Sequence, residues 1–236
     1  MSLANLFKTF AAALVYGHKA SEQRYISWLR SQGMRIGEHV HIYSPWTIKV
    51  DTQRPWMIEI GDYVKIAADC SILQHDYSWS VLQHMTGEVL GSCGKVHIGN
   101  NVFLGQRVLV LKGAFIEDDV IVGAGSVVSG HLLSGSIYAG VPARRLMSIQ
   151  DFYKKRQSHQ LQEAVDLVNE YQKCYGKQPP LRLLREFFWL FEPRDVEKLD
   201  SVFKAVLNLD DQIVGSSGAF EQSKPVFDSY DQFLHY

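Results

Sequence analysis

The stretch from Val96 to Leu132, VHIGNNVFLGQRVLVLKGAFIEDDVIVGAGSVVSGHL, repeats itself every six residues. Stepping by six from Ile98 gives Leu104, Val110, Ile116, Val122 and Val128, all aliphatic. Glycine follows three of these steps, at Gly99, Gly105 and Gly123. Four residues after each step stand Val102, Val108, Ala114, Val120, Ser126 and Leu132, all small or apolar. The same period appears earlier at Ile60, Ile66 and Ile72, and more weakly at Ile36, Ile42 and Ile48. Side chains alternate faces along a strand, so positions i and i+4 share a side. A short strand closed by a corner every six residues stacks its aliphatic side chains into ladders inside a tube. Fixed-period repeats of this kind mark solenoids, whereas an ordinary sandwich would need the spacing to arise by coincidence. A glycine just after the aliphatic position suits a tight corner of unusual φ and ψ.

Working outward, residues 1–33 form an N-terminal helical segment, residues 34–147 the repeat domain and residues 148–236 a helical appendage with a tail. The apolar run from Leu3 to Tyr16, interrupted by Lys8, reads as an amphipathic helix too short to span a bilayer, and no cleavage site follows it. Tyr25, Trp28 and Leu29 continue a helical pattern that ends at Gly33. Beyond the repeats, Leu161, Val165, Val168 and Tyr171 have helical spacing over residues 148–173, broken by Gly176, Pro179 and Pro180. A short apolar helix is expected from Leu181 to Phe191, stopped by Pro193, and a last one from Val196 to Leu209. The polar tail from Asp210 reads as loosely ordered or wrapped around a neighbour.

Composition narrows the function classes. With 236 residues and 46% hydrophobic content the chain can bury a substantial core. Its 24 Lys plus Arg balance 25 Asp plus Glu, a formal net charge of -1, which argues against a nucleic-acid partner. Cys70, Cys93 and Cys174 are an odd, dispersed set without a CxxC pair, so a disulfide framework and a cysteine zinc site are both unsupported. A reducing, cytoplasmic setting is the expectation, with no integral membrane segment.

The period fails between Ile72 and Ile98, so residues 73–96 must leave the tube as a loop, and loops on rigid scaffolds are where function concentrates. His75 stands at the exit of that loop, followed by Asp76, Tyr77 and Trp79. An imidazole there can titrate near neutrality and take a proton from a hydroxyl. Asp76, its neighbour in sequence, is a candidate to orient the ring. His84, deeper in the loop, is a second candidate base. Tyr77, Trp79, His84 and Glu88 share the loop and are candidates for contacting a bound acceptor. A rival idea, a zinc site built from His39, His41 and His97, has the right ligand number.

GAGSVV, from Gly123 to Val128, and AGVPARRL, from Ala139 to Leu146, resemble the closing coils of the hexapeptide-repeat acetyltransferases, a family that includes galactoside and maltose acetyltransferases and capsule-polysaccharide O-acetyltransferases. The stretch DTQRPWMIEIGDYVKIAADCSILQHDYSW is similar to the part carrying that family's catalytic histidine, and NVFLGQRVLVLKGAFIEDDVIVGAGSVV to the coils that follow it. The resemblance covers roughly residues 34–147.

The resemblance implies a mainly-β, left-handed parallel β-helix, against the right-handed rule for ordinary crossovers, and a homotrimer with active sites between subunits. It implies acetyl-CoA as co-substrate, with His75 as general base for direct transfer to a hydroxyl of a sugar or glycan, and no metal. Phe103, Gly105, Ala124, Ser126, Arg144 and, with less weight, Arg145 would line the coenzyme A groove, the arginines meeting phosphate. Ser129, Gly130 and His131 stand where many relatives have Thr-Lys-Asp, so a lysine that could touch coenzyme A is missing. An N-acetyltransferase of an amino sugar nucleotide, or a scaffold without activity, would use the same architecture.

Overall fold

The computed structural model describes residues 13–209, 211 and 213–236. They divide into two compact units, Met1–Phe152 and Tyr153–Tyr236.

In the first unit the hexapeptides form strands of two to four residues that wind around three faces. On the first face Arg35–Ile36, Ile58–Ile60, Val96–Ile98, Phe115–Ile116 and His131–Leu132 pair in parallel. The second face holds His41–Ile42, Lys65–Ile66, Phe103–Leu104, Val120–Val122 and Ser136–Ala139, ending with Arg144–Ser148 as an antiparallel strand. Lys49–Val50, Ser71–Ile72, Leu109–Val110 and Val127–Val128 form the third. Partners in successive regular coils are 18 residues apart, as Phe103 with Ile121 and Leu109 with Val127. Across the long loop the separation is 38, as Lys65 with Phe103 and Ser71 with Leu109, yet the register is kept. The loop is therefore a pure insertion into one corner of an intact parallel β-helix.

The period-six aliphatics point inward. Ile66, Ile72, Ile98, Leu104, Val110, Ile116, Val122 and Val128 have no exposed surface, and Ile36, Ile42 and Ile48 of the weaker block join the same core. The glycines act differently from the expectation of unusual dihedrals. Gly99, Gly105 and Gly123 are not among the residues of positive φ, which fall two positions later, at Asn101, Arg107 and Gly125. What Gly105 provides is closeness: a Cβ there would lie 2.6 Å from the Ala124 nitrogen of the next coil. Asn and Asp tolerate the left-handed region better than most residues, and their side chains also staple the corners. The Asn100 side chain accepts from the Asp62 amide at 2.8 Å, and Asp118 accepts from the Asn100 amide at 2.6 Å.

Of the helix expected from Leu3 to Tyr16, residues 3–12 lie outside the described residues, and residues 13–16 are helical. The helix Glu22–Ser31 is capped by Ser21, whose hydroxyl accepts from the Arg24 amide at 3.4 Å, and buries Tyr25, Ile26 and Leu29.

The second unit corrects three expectations. Helix Ile149–Tyr175 runs as its periodicity predicts, but Leu181–Phe191 is two 3-10 turns, Leu181–Leu184 and Phe188–Leu190. Prolines bound the segment to about three turns, where a helix is marginal, and Phe187, Phe188 and Trp189 lose rotamer freedom in one. Val196–Leu209 likewise splits into a 3-10 turn and helix Ser201–Leu207, which Asp200 caps by accepting from the Val202 amide. The tail is not loose. Helices Ile213–Gln222 and Tyr230–Leu234 place Phe220 and Phe233 in a core with Phe188, Phe191 and Phe203. Residues 210 and 212 lie outside the described set.

Leu104→Ala, at a fully buried position of the tube, is expected to destabilise the protein by about 2–5 kcal/mol in chemical denaturation, whereas Lys49→Ala on the exposed third face leaves the midpoint in place. On the first face Lys95 and Arg35 bond to Glu59 at 2.6 and 2.9 Å and depress its carboxyl from 4.5 to about 2. A depressed carboxyl stabilises above the unfolded pKa and loses that contribution as pH falls through the folded value. Glu59→Gln should therefore cost less than about 1 kcal/mol at neutral pH, because the pair is partly exposed. The cost should fade between pH 4.5 and about 2.

Candidate active site

The corner after the third face carries the candidate residues. In the first coil it is Asp51–Met57, in the second the insertion, in the third Leu111–Ala114, and coil stacking places these segments one above another. The Lys49 and Asp51 amides donate to Cys70 and Ile72, and the Ser71 and Leu73 amides to Val108 and Val110.

His75 sits at the neck of the insertion, its side chain 14% exposed. The neck is a short antiparallel pairing. His75 bridges Cys93, the Gly94 amide donates to Gln74 at 2.9 Å and the Asp76 amide to Ser92 at 3.3 Å. Gly94 must be glycine, since a Cβ would lie 2.7 Å from the Gly113 nitrogen of the next corner.

The ring's partner is Asp51, not its sequence neighbour. His75 Nδ1 donates to Asp51 Oδ2. Asp51 is 6% exposed and also accepts from the Gln53 amide at 3.0 Å and the Gln74 amide at 3.4 Å, so its carboxylate is held by backbone on both sides. An ionised carboxylate only accepts, which makes Nδ1 the donor and leaves the lone pair on Nε2. Asp76 is engaged elsewhere. It accepts from Ser78 N at 2.9 Å, Ser78 Oγ at 2.6 Å and Ser92 Oγ at 3.1 Å, and lies 2.5 Å from Lys112 Nζ. Those bonds, Lys112 first, hold its carboxyl well below the usual range.

The acceptor candidates follow directly. The Tyr77 ring stands edge-on to His75 with centroids 5.1 Å apart, and its hydroxyl donates to Gln53 Oε1 at 3.4 Å. Trp79 lies 6.0 Å beyond Tyr77 and opens a helix, Trp79–Thr86, inside the insertion. His84 lies in the last turn of that helix and Glu88 just past it, both exposed. The structure thus brings Tyr77 to His75 and leaves His84 and Glu88 further along the loop.

The six positions assigned to coenzyme A lie elsewhere on the coil. Gly105 and Ala124 stack on each other between the second and third faces. Phe103 projects from the second face, 38% exposed. Ser126 is fully buried, its hydroxyl donating to Gly123 at 2.6 Å and accepting from Gly140 at 3.1 Å, so it shapes the corner instead of lining a surface. Arg145 Nε donates to Ser136 at 2.9 Å. Arg144 is exposed and reaches the Ala143 carbonyl at 3.4 Å. The third face separates this set from His75 within one chain.

The three histidines of the zinc idea occupy different places. His41, on the second face, pairs with Glu22 at 3.2 Å, His97 on the first face stacks on Phe115, and His39 stacks on Tyr63. Among the described residues no group of three or more His, Cys, Asp or Glu could hold a metal ion, and no helix is long and apolar enough to cross a membrane. Cys70 is buried with its thiol donating to Gly105, a core position.

Asp51, Gln53, Ser92 and Lys112 escaped the sequence reading. Asp51 emerges only from the strand register: Val50 pairs with Ile72, which sets Asp51 in the corner beneath the neck.

No family model matches the chain. It is similar to the galactoside O-acetyltransferase of Escherichia coli (strain K12), 30% identical over 124 residues, which are 49% of this chain and 57% of that protein. It is also similar to protein CapG of Staphylococcus aureus, 30% identical over 127 residues, 54% of this chain and 73% of that protein. The chain therefore spans little more than half of the galactoside enzyme and nearly three quarters of CapG. Among solved structures it is similar to a maltose O-acetyltransferase from Clostridium difficile 630, at 21% identity and a TM-score of 0.45, over 61% of this chain and 84% of that one. With its period-six parallel β-helix and a 30% identical relative matched over 73% of that protein's length, the chain belongs to the hexapeptide-repeat acetyltransferase family.

Proposed function

We propose that the protein is an O-acetyltransferase that moves the acetyl group of acetyl-CoA to a hydroxyl of a sugar or of a surface or capsular polysaccharide, with His75 as general base. The observation that carries this reading is the bond between His75 Nδ1 and Asp51, with the Tyr77 ring edge-on beside the imidazole.

In the step proposed, Nε2 takes the proton of the acceptor hydroxyl as its oxygen attacks the thioester carbonyl. The tetrahedral intermediate collapses, the carbon–sulfur bond breaks, and the imidazolium returns the proton to the departing thiolate. Ester and free coenzyme A result, and the histidine is regenerated without a covalent enzyme intermediate. Asp51 keeps the ring in the productive tautomer and stabilises the imidazolium while it exists. Tyr77 and Trp79, edge-on and tilted over the neck, offer ring faces to a sugar.

Exposed Arg144 suits a phosphate of coenzyme A through paired donors, while exposed Phe103 and Ala124 offer the pantetheine a surface that buried Gly105 supports from beneath. Because the third face separates these residues from His75, a second copy of the chain is the simplest way to complete one site. That supports a homotrimer with sites between subunits, and three unpaired cysteines fit a cytoplasmic setting.

Turnover of acetyl-CoA with a panel of sugars and polysaccharides tests the reading. His75→Ala is expected to lower kcat/KM by about 10²–10⁴, and Asp51→Asn to lower kcat by at least about tenfold with the fold intact. Full activity in His75→Ala would move the base elsewhere. Acetylation of amine acceptors alone would favour an N-acetyltransferase, and no acetyl-CoA binding would leave a scaffold.

A further inference from the structure

We infer that Lys112 is a positioning residue for His75, acting through Asp76 and Ser92; the inference rests on the reading of His75 as the base. Lys112 belongs to the corner that follows the insertion by one coil. Its ammonium lies 2.5 Å from Asp76 Oδ2 and bonds to Ser92 Oγ, and Ser92 Oγ donates to the same carboxylate oxygen at 3.1 Å. Asp76 is on the outgoing side of the neck and Ser92 on the returning side, so one cation joins both.

The neck needs such a tie. Its own pairing is brief and ends in a bond of 3.3 Å, and beyond it residues 81–90 are all exposed. The corner that carries Lys112 is well anchored by contrast. The Leu111 amide donates to Val128 at 2.9 Å, the Ala114 amide to Leu111 at 3.1 Å, and Gly113 lies against Gly94. His75 is thus gripped along the tube axis from two sides, by Asp51 of the preceding corner at Nδ1 and by Lys112 of the following corner through Asp76. Asp76, like any aspartate not raised by burial, is ionised throughout the range in which an imidazole titrates, so the clamp stays closed in both states of the base. Two of the three ammonium donors are spent on the neck, which leaves Lys112 poorly placed to hold a substrate.

Steady-state kinetics of the full chain, with the acceptor found in the panel, decide the matter. Lys112→Met should lower kcat by about 10–100-fold, the scale of a base displaced by an ångström, with KM for acetyl-CoA unchanged. Lys112→Arg should recover most of kcat, and Lys112→Met with Asp76→Asn should be no slower than the worse single variant, since both open one clamp. Ser92→Ala, which removes one bond and no charge, should lose a smaller part of kcat and serves if Lys112→Met does not fold. Wild-type kcat in Lys112→Met, a raised KM with kcat intact, or multiplying losses in the double variant would each overturn the inference. His75→Ala, run alongside, separates the two readings: if it is active, the base assignment fails; if it is inactive while Lys112→Met is fully active, the clamp alone fails.

Discussion

Successive coils of the tube must lie one strand spacing apart, about 4.8 Å, at every corner as well as on every face. Strands meet that spacing through their hydrogen bonds, but corners meet it only where nothing intrudes. Gly105 beneath Ala124 and Gly94 beside Gly113 show the cost of failure, since a single Cβ would overlap the neighbouring backbone. The inward aliphatics fill the space that the spacing defines, and their complete burial makes the register all but immovable. A parallel sheet closed on itself in this way resists local slippage, so an insertion has nowhere to go except outward.

That constraint also builds the site. Because every coil passes the same corner, residues far apart in sequence are stacked at strand spacing: Asp51, His75 and Lys112 come from three consecutive coils. The insertion borrows its rigidity from the coils on either side of it. Asp51 is nearly buried and bonded to backbone amides, so it can hold an imidazole in one tautomer without itself moving. Asp76 is partly exposed and committed to Ser78, Ser92 and Lys112, a carboxylate that ties the loop while Asp51 meets the ring. Two aspartates near one histidine thus take different tasks, and the difference lies in which coil each of them answers to.

The second unit follows another logic. Prolines and clustered aromatics prevent long helices after Tyr175, and the chain instead gathers phenylalanines from four short elements and the segments between them around one core. Phe188 stacks on Phe203 at 5.0 Å and Arg194 lies over the Phe220 ring at 4.5 Å. Stability there comes from side chains packed across turns, with little periodic signal to reveal it.

Periodicity made the tube legible. Six-residue steps name the inward residues of each coil, and the break after Ile72 names the insertion, because both follow from local alternation along a strand. His75 was legible for the same reason, as the first titratable residue outside the pattern. Its partner was not, since Asp51 stands 24 residues upstream, and adjacency in sequence pointed to Asp76. The tail after Asp210 carried too few apolar residues at helical spacing to announce that Phe220 and Phe233 are buried. By itself, then, the sequence determined the coil, its period and the place where it opens, which depend on neighbours a few residues apart. Only the tertiary structure decided which carboxylate serves the histidine and which lysine ties the neck, because stacking brings together corners that the chain reaches one full turn apart.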